Sequence, residues 1–191
     1  MVEILDTGVS SAQENMRIDQ ELLKGLASQA SPLLHLYDWA QESLTYGYFI
    51  RPEKHLHLDE LARRGICHAK RPTGGGIVFH LWDLAFSFLM PAGCEGFSLN
   101  PLENYQFVNR IVLQAVQGYL KKKGRGGDLS YELAPASFPI TCADSQHFCM
   151  ARPTIYDVVL EGVKIAGAAQ RLKKTEGEAP AGKDAVGEPQ R

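Results

Sequence analysis

The sequence lacks long hydrophobic runs and has no excess of charge of either sign. No stretch of about 18 uninterrupted apolar residues, the length that spans a membrane, occurs. Lysine and arginine number 20 against 22 aspartate and glutamate, and Lys121 to Lys123 are the only basic run. The first residues are not a basic segment followed by an apolar one, as in a secretory leader. We therefore expect a cytoplasmic protein with no nucleic-acid partner and no membrane partner.

Cysteine is scarce as well. In a chain of 191 residues without a leader, free thiols are expected rather than a disulfide framework. Hydrophobic residues make up 45% of the chain, so one globular domain with room for a buried ligand pocket is expected. The four cysteines are Cys67, Cys94, Cys142 and Cys149.

Three helices are expected, over 11–27, 58–64 and 101–124. Ser11 followed by Glu14 is typical of a capping box at a helix start. Pro101 suits the first turn of the longest helix, and Gly124 after three lysines suits its end. The first and last of these stretches also have the apolar spacing of an amphipathic helix.

Short runs rich in β-branched and aromatic residues predict strands. The expected strands are 33–37, 45–50, 84–90, 129–133, 156–160 and 163–169, and the segment 71–80 is expected to run from a loop into a further strand. The first two are expected to be neighbours, and the last two form a hairpin across Glu161-Gly162. Strands at both ends of the long helix, without regular strand-helix alternation, predict an α+β fold. Its sheet is expected to be mixed or mostly antiparallel, with flanking helices.

From residue 172 onward the composition changes. Leu172 and Val186 are the only larger apolar side chains there, too few to order the segment by burial. We expect 1–171 to form the domain and 172–191 to be a disordered or aberrant tail.

A run of three glycines, Gly74 to Gly76, follows Lys70 and Arg71. Glycine lets a backbone come close to a ligand and present N–H groups to a phosphate or carboxylate. The run is neither a phosphate-binding loop with a Gly-Lys-Ser/Thr ending nor a dinucleotide fingerprint. By itself the pattern favours a plain flexible turn.

Lys164 lies in the apolar segment 163–167. In a pocket, its ammonium could hold a carbonyl or phosphoryl oxygen and stabilise charge that develops on it. Strand alternation alone favours a lysine that faces solvent and has no chemical role.

Cys149 lies two residues after His147, an arrangement in which a thiol could be activated as a nucleophile. Taken alone, it is more often a structural cysteine. A zinc site at Cys142, His147 and Cys149 would lack a second close ligand pair, so no metal site is predicted.

Two motifs resemble one family. The segment Lys70-Arg-Pro-Thr-Gly-Gly-Gly-Ile-Val-Phe-His80 is similar to Arg-Arg-x-x-Gly-Gly-Gly-x-Val-Phe-His of lipoate–protein ligase A and its octanoyltransferase relatives. Lys164-Ile-Ala-Gly167-Ala-Ala169 is similar to their second signature, Lys-x-x-Gly-x-Ala. The resemblance extends over roughly 5–171.

The resemblance implies the fold shared with biotin ligases and class II tRNA synthetases, with an acyl pocket along the glycine-rich strand. Lys164 would contact the acyl carbonyl. The substrate-binding residues would be Arg71, Thr73, Gly74, Gly75, Gly76, His80, Gly167 and Ala169.

Two reactions are compatible with the resemblance. A ligase would use ATP and Mg2+ to form an acyl-adenylate and pass lipoate or octanoate to a lipoyl-domain lysine of a 2-oxoacid dehydrogenase or the glycine-cleavage H protein. An octanoyltransferase would need no ATP, because Cys149 would take octanoyl from an acyl carrier protein. The spacing from His80 to Asp83 and the place of Cys149 resemble the transferases, whereas Gly76 stands where they often have arginine. The ligase is our first expectation and the transferase the second.

The family continues after the second motif with a strand carrying a His-Gly pair, and this sequence has no histidine after Arg171. A truncation or frame change is one hypothesis. It leaves a third expectation, an inactive relative that only binds lipoate.

Overall fold

A computed structural model of the chain describes residues 1–125, 127, 129–136 and 153–173. These residues contain three helices, α1 Ala12–Gly25, α2 Leu58–Arg63 and α3 Pro101–Lys122. The strands are β1 Glu3–Ser10, β2 Leu33–Trp39, β3 Ser43–Tyr46, β4 Cys67–Lys70, β5 Ile77–His80, β6 Ala85–Leu89, β7 Tyr131–Leu133, β8 Val158–Leu160 and β9 Val163–Ala166. No helix in the described ranges is both long enough and apolar enough to cross a membrane.

The strands form three small sheets, ordered β1-β2-β6, β4-β3-β5 and β7-β8-β9. The β1–β2 and β3–β4 pairs are parallel, and the other pairs are antiparallel. The α+β class with mixed, mostly antiparallel pairing is therefore confirmed. The expectation that the strands at 33–37 and 45–50 are neighbours is wrong, because β2 pairs with β1 and β6 and β3 belongs to another sheet.

Helix α1 joins the first two sheets. Its start is as expected, since the Ser11 hydroxyl accepts a hydrogen bond from the Glu14 N–H. Ala12 and Met16 pack in one core cluster with Tyr37 of β2 and Ala69 of β4. The helix thus fixes how the glycine-rich segment after β4 stands relative to the first sheet.

Helix α3 packs on β7 and β8 of the third sheet. Its bounds agree with the prediction, because the Asn100 side chain caps the Leu102 N–H and Gly124 beyond its end adopts φ 68°. The β8–β9 hairpin is also as predicted. Glu161 and Gly162 adopt φ 50° and 76°, the left-handed pair of a type I′ turn.

Strand β3 ends at Tyr46 because Gly47 turns the chain against the glycine-rich loop. The Gly47 N–H donates to the Gly76 carbonyl at 3.0 Å, and the Tyr48 N–H donates to the Thr73 carbonyl at 2.8 Å. A Cβ at Gly47 would lie 2.0 Å from the Gly75 carbonyl oxygen. The loop therefore packs against the chain where it leaves β3, and only glycine fits at position 47.

We predict that Gly47→Ala destabilises the protein by about 1–3 kcal/mol, because the new methyl group must displace backbone atoms. Urea unfolding followed by circular dichroism measures the change. The control is Gly118→Ala in α3, where an added Cβ meets no atom within 4 Å. That helical substitution should stabilise by about 0.5–1 kcal/mol. Equal effects of the two substitutions would contradict the proposed seating of the loop.

Candidate active site

Arg71 holds the glycine-rich loop from the inside. Its Nη2 donates to the carbonyl oxygens of Gly76 at 2.8 Å and Gly74 at 3.3 Å, and its Nη1 donates to Thr45 Oγ1 at 2.7 Å. In a trans peptide the N–H points opposite to the carbonyl, so the N–H of exposed Gly75 faces away from the guanidinium. An added Cβ on Gly74 would meet no atom within 4 Å. The outer side of the loop is thus open to a ligand that accepts hydrogen bonds.

His80 extends this network. Its Nε2 lies 2.7 Å from Thr45 Oγ1 and its Nδ1 lies 2.6 Å from Asp83 Oδ2. A neutral imidazole facing that carboxylate carries its hydrogen on Nδ1 and accepts from Thr45 through Nε2. The ring also stacks on Trp39, with centroids 4.1 Å apart. Asp83, His80, Thr45 and Arg71 therefore form one hydrogen-bonded chain that ends at the loop carbonyls.

Lys164 is buried. Its side chain is 7% exposed, and its Nζ lies 2.8 Å from Oδ2 of the fully buried Asp157. The expectation from alternation alone, a lysine facing solvent, is wrong. Val163 is 63% exposed, so alternation places Lys164 on the buried face of β9, and the expectation failed because the apolar neighbour rather than the lysine faces solvent.

Gly167 is the small residue that admits this ion pair. A Cβ there would lie 2.6 Å from Asp157 Oδ1 and 2.9 Å from Lys164 Cε. The second motif therefore needs glycine at this position, because a side chain would collide with the ion pair. Ala169 is half-buried two residues later, just before Gln170, whose Nε2 donates to the Pro101 carbonyl at 2.6 Å.

Asp157 gathers donors from three segments. Its Oδ2 accepts from the Thr154 N–H at 2.6 Å and the Thr154 hydroxyl at 2.9 Å, in addition to Lys164. Its Oδ1 accepts from the Tyr105 hydroxyl of α3. The Tyr105 oxygen in turn accepts from the Ala168 N–H at 3.1 Å. Burial, and then this hydrogen bond to the carboxylate, raise the pKa of Tyr105 to about 12.

The segments that carry the two motifs meet at Tyr48. Lys70 Nζ lies 4.3 Å and the Arg171 guanidinium carbon 4.9 Å from the centre of its ring. Arg171 Nη1 also donates to the Pro72 carbonyl at 3.1 Å. The chain that follows the second motif thus touches the loop of the first.

Several predicted features lie outside the described residues. Cys149, Cys142 and His147 are among them, so a nucleophilic role of Cys149 stays a prediction. The end of the domain at residue 171 also stays a prediction, since 174–191 are not described. Cys67 and Cys94 are free thiols.

Sequence reasoning missed the partners of the predicted residues. Thr45 falls within the predicted strand 45–50 and Tyr105 within the predicted helix 101–124, and neither position marks a site residue. Asp157 gave the clearest signal that could have been used, because it is a carboxylate directly before the apolar run of β8 and seven residues before Lys164. A charge at such a position needs a buried partner.

Comparisons with known proteins agree on one family. A family model described as "Lipoyl protein ligase A/B catalytic domain" matches residues 11–176. A curated relative from Kyrpidia tusciae, named octanoyltransferase LipM, is 29% identical over 174 residues, covering 90% of this chain and 61% of the relative. The chain spans about three fifths of the length of the curated relatives that it matches.

Solved structures show the same fold. A crystal structure of lipoate-protein ligase A bound with ATP superposes with a TM-score of 0.62 at 24% identity, covering 91% of this chain and 61% of that one. A protein of T. acidophilum with bound lipoic acid gives 0.58 at 26% identity, covering 90% and 63%.

The raised pKa of Tyr105 predicts a loss of stability in alkali. The folded state keeps the phenol proton to about pH 12, whereas an unfolded tyrosine loses it near pH 10, so this contribution is complete below about pH 10 and falls between pH 10 and 12. The urea midpoint should therefore drop more between pH 8 and pH 11 in wild type than in Tyr105→Phe. Tyr119→Phe, at a position 61% exposed on the same helix, should behave like wild type. Identical pH dependence in all three proteins would contradict this assignment.

Proposed function

We propose, because this chain belongs to the lipoyl protein ligase A/B catalytic domain family, that it transfers an octanoyl or lipoyl group to a lysine of a lipoyl domain. The observation that carries the proposal is the buried Lys164 ammonium, held by Asp157 beside Gly167 in the second motif. Acyl transfer needs a cation or hydrogen-bond donor fixed where an oxygen becomes negative. Lys164 supplies such a cation on a rigid hairpin.

In either reaction route the role of Lys164 is the same. When a nucleophile attacks the acyl carbonyl, negative charge collects on the oxygen, and an ammonium already in position stabilises it without rearranging. Burial strengthens this interaction, because the surroundings screen it less than water does. The ion pair with Asp157 keeps the Lys164 side chain from rotating into solvent.

The octanoyltransferase route is our first proposal. It is favoured by the curated relative named octanoyltransferase LipM and by the short spacing from His80 to Asp83. The Cys149 thiolate would attack an octanoyl thioester of an acyl carrier protein, releasing the carrier thiol and forming an octanoyl-cysteine. The amine of the target lysine would then attack that thioester, forming the amide and restoring the thiol.

The ligase route is the second proposal, and the glycine-rich loop favours it. Gly74 is next to open space, and the Gly75 N–H faces away from Arg71. Two cations, Lys70 and Arg171, lie nearby against the Tyr48 ring. An outward N–H with cations close by suits a phosphate group. The fold match to a ligase bound with ATP is compatible with it. ATP with Mg2+ would there activate lipoate or octanoate as the acyl-adenylate.

The acceptors that we propose are the lipoyl domains of 2-oxoacid dehydrogenases or the glycine-cleavage H protein, in the cytoplasm. Each presents a lysine amine, which the transfer reaction requires as its nucleophile. An acyl carrier protein is the proposed donor for the transferase route only.

We predict that Lys164→Ala lowers the rate of acyl transfer by about 100-fold or more, the usual loss when one group that stabilises an oxyanion is removed. Mass spectrometry of a lipoyl domain, followed over time, gives the rate. Lys122→Ala at the exposed end of α3 is the control and should keep the wild-type rate. A near-normal rate in Lys164→Ala would overturn the site assignment.

The two routes differ in their need for ATP and for Cys149. A lipoyl domain is incubated with octanoyl-carrier protein alone, or with lipoate, ATP and Mg2+, and its intact mass is measured. We expect modification without ATP that disappears in Cys149→Ala but persists in Cys94→Ala. Modification that requires ATP and survives Cys149→Ala would instead support the ligase. A protein that binds lipoate but modifies nothing under either condition would be a non-catalytic relative.

A further inference from the structure

We infer that Tyr105 of α3 is a positioning residue of the proposed transfer site, acting through Asp157 to fix where the Lys164 ammonium stands. The inference rests on the proposed function, because only acyl transfer gives the position of that ammonium a consequence for rate. Tyr105 lies in neither motif, and it reaches the second motif from a helix more than 50 residues earlier in the chain.

Four hydrogen bonds hold the Asp157 carboxylate. A carboxylate offers about four acceptor positions, and Asp157 accepts from Tyr105, twice from Thr154, and from Lys164. Three of these bonds fall on Oδ2, so among the described residues Tyr105 is the donor to Oδ1. Without the phenol, only the bonds to Oδ2 orient the carboxylate, and the ammonium bound to that oxygen is positioned less firmly.

Tyr105 also contacts the backbone that follows the lysine strand. The same Tyr105 oxygen accepts from the Ala168 N–H at 3.1 Å. Its hydroxyl therefore links the carboxylate that holds Lys164 to the peptide that follows Gly167. A phenylalanine of the same shape would lose both hydrogen bonds and leave the packing of the ring unchanged.

Contacts at the start of α3 fix the position of Tyr105 itself. It lies near the start of α3, where Asn100 caps the helix and the Pro101 carbonyl accepts from the Gln170 side chain at 2.6 Å. The N-terminal end of α3 is thus hydrogen-bonded to the chain just after the second motif. The cap at Asn100 and the contact with Gln170 both restrain the start of α3, which carries Tyr105. The Tyr105 oxygen therefore has a fixed position from which it orients the Asp157 carboxylate.

The test compares Tyr105→Phe with Tyr119→Phe, an exposed tyrosine on the same helix. We expect Tyr105→Phe to lower kcat about tenfold to a hundredfold, the scale of one lost hydrogen bond to a charged group, with KM for the lipoyl domain unchanged. Tyr119→Phe should match wild type. A loss that appears in KM alone, or no loss, would overturn the positioning role.

A second measurement does not depend on turnover. The purified proteins are treated briefly with acetic anhydride, and acetylation of the peptide containing Lys164 is followed by mass spectrometry. We expect Lys164 to react severalfold faster in Tyr105→Phe than in wild type or Tyr119→Phe, because its ammonium is held less firmly. Equal rates in the three proteins would overturn the inference.

The two measurements separate failure of the inference from failure of the proposed function. If wild type transfers no acyl group under any condition while acetylation of Lys164 still responds to Tyr105→Phe, the proposed function fails and the contact through Asp157 stands. If wild type transfers normally and neither kcat nor acetylation responds, the function stands and the inference about Tyr105 fails.

Discussion

The buried ion pair between Lys164 and Asp157 is the interaction on which the arrangement of the site depends. Removing one partner of such a pair commonly costs about 3–5 kcal/mol, because the other charge remains buried without compensation. Asp157 is fully buried and the Lys164 side chain is 7% exposed, so neither can turn to water. The surrounding structure has to keep them together. Thr154, Tyr105 and the absence of a side chain at Gly167 all serve that requirement.

Among the described residues, the same type of hydrogen-bonded chain occurs twice with different surroundings. Asp19, His35 and Thr7 are joined as Asp83, His80 and Thr45 are. The His35 side chain is fully buried and that of Asp19 is 7% exposed, whereas the Asp83 side chain is 39% exposed. The first chain ties β1, β2 and α1 in the interior. The second reaches Arg71 and the glycine-rich loop, so position rather than residue type separates a structural role from one at the site.

The sequence predicts local features well and long-range pairing poorly. The N-cap of α1, the glycine after α3 and the turn at Glu161-Gly162 are predictable because a few neighbouring residues determine them. The order of strands was not, since β2 and β3 are consecutive in sequence but belong to different sheets. The resemblance to the family identified Lys164 as a site residue, although alternation in β9 pointed the other way. Its partner Asp157 lies seven residues earlier and carried a local signal, whereas Tyr105, which bonds to Asp157, lies in α3 and no local pattern brings it there.

The two routes of acyl transfer place different demands on the two halves of the site. Both proposed routes need the oxygen of the acyl carbonyl to be stabilised, and the role that we propose for Lys164 is the same whether the leaving group is a thiol or a nucleotide. Only the ligase needs the outer face of the glycine-rich loop to take a phosphate. Gly47 seats that loop and Arg71 holds its carbonyls inward, which leaves the same outward backbone in either case. In the proposed ligase route that backbone would take a phosphate of ATP, whereas the proposed transferase route would leave it unused and depend on the Cys149 thiol.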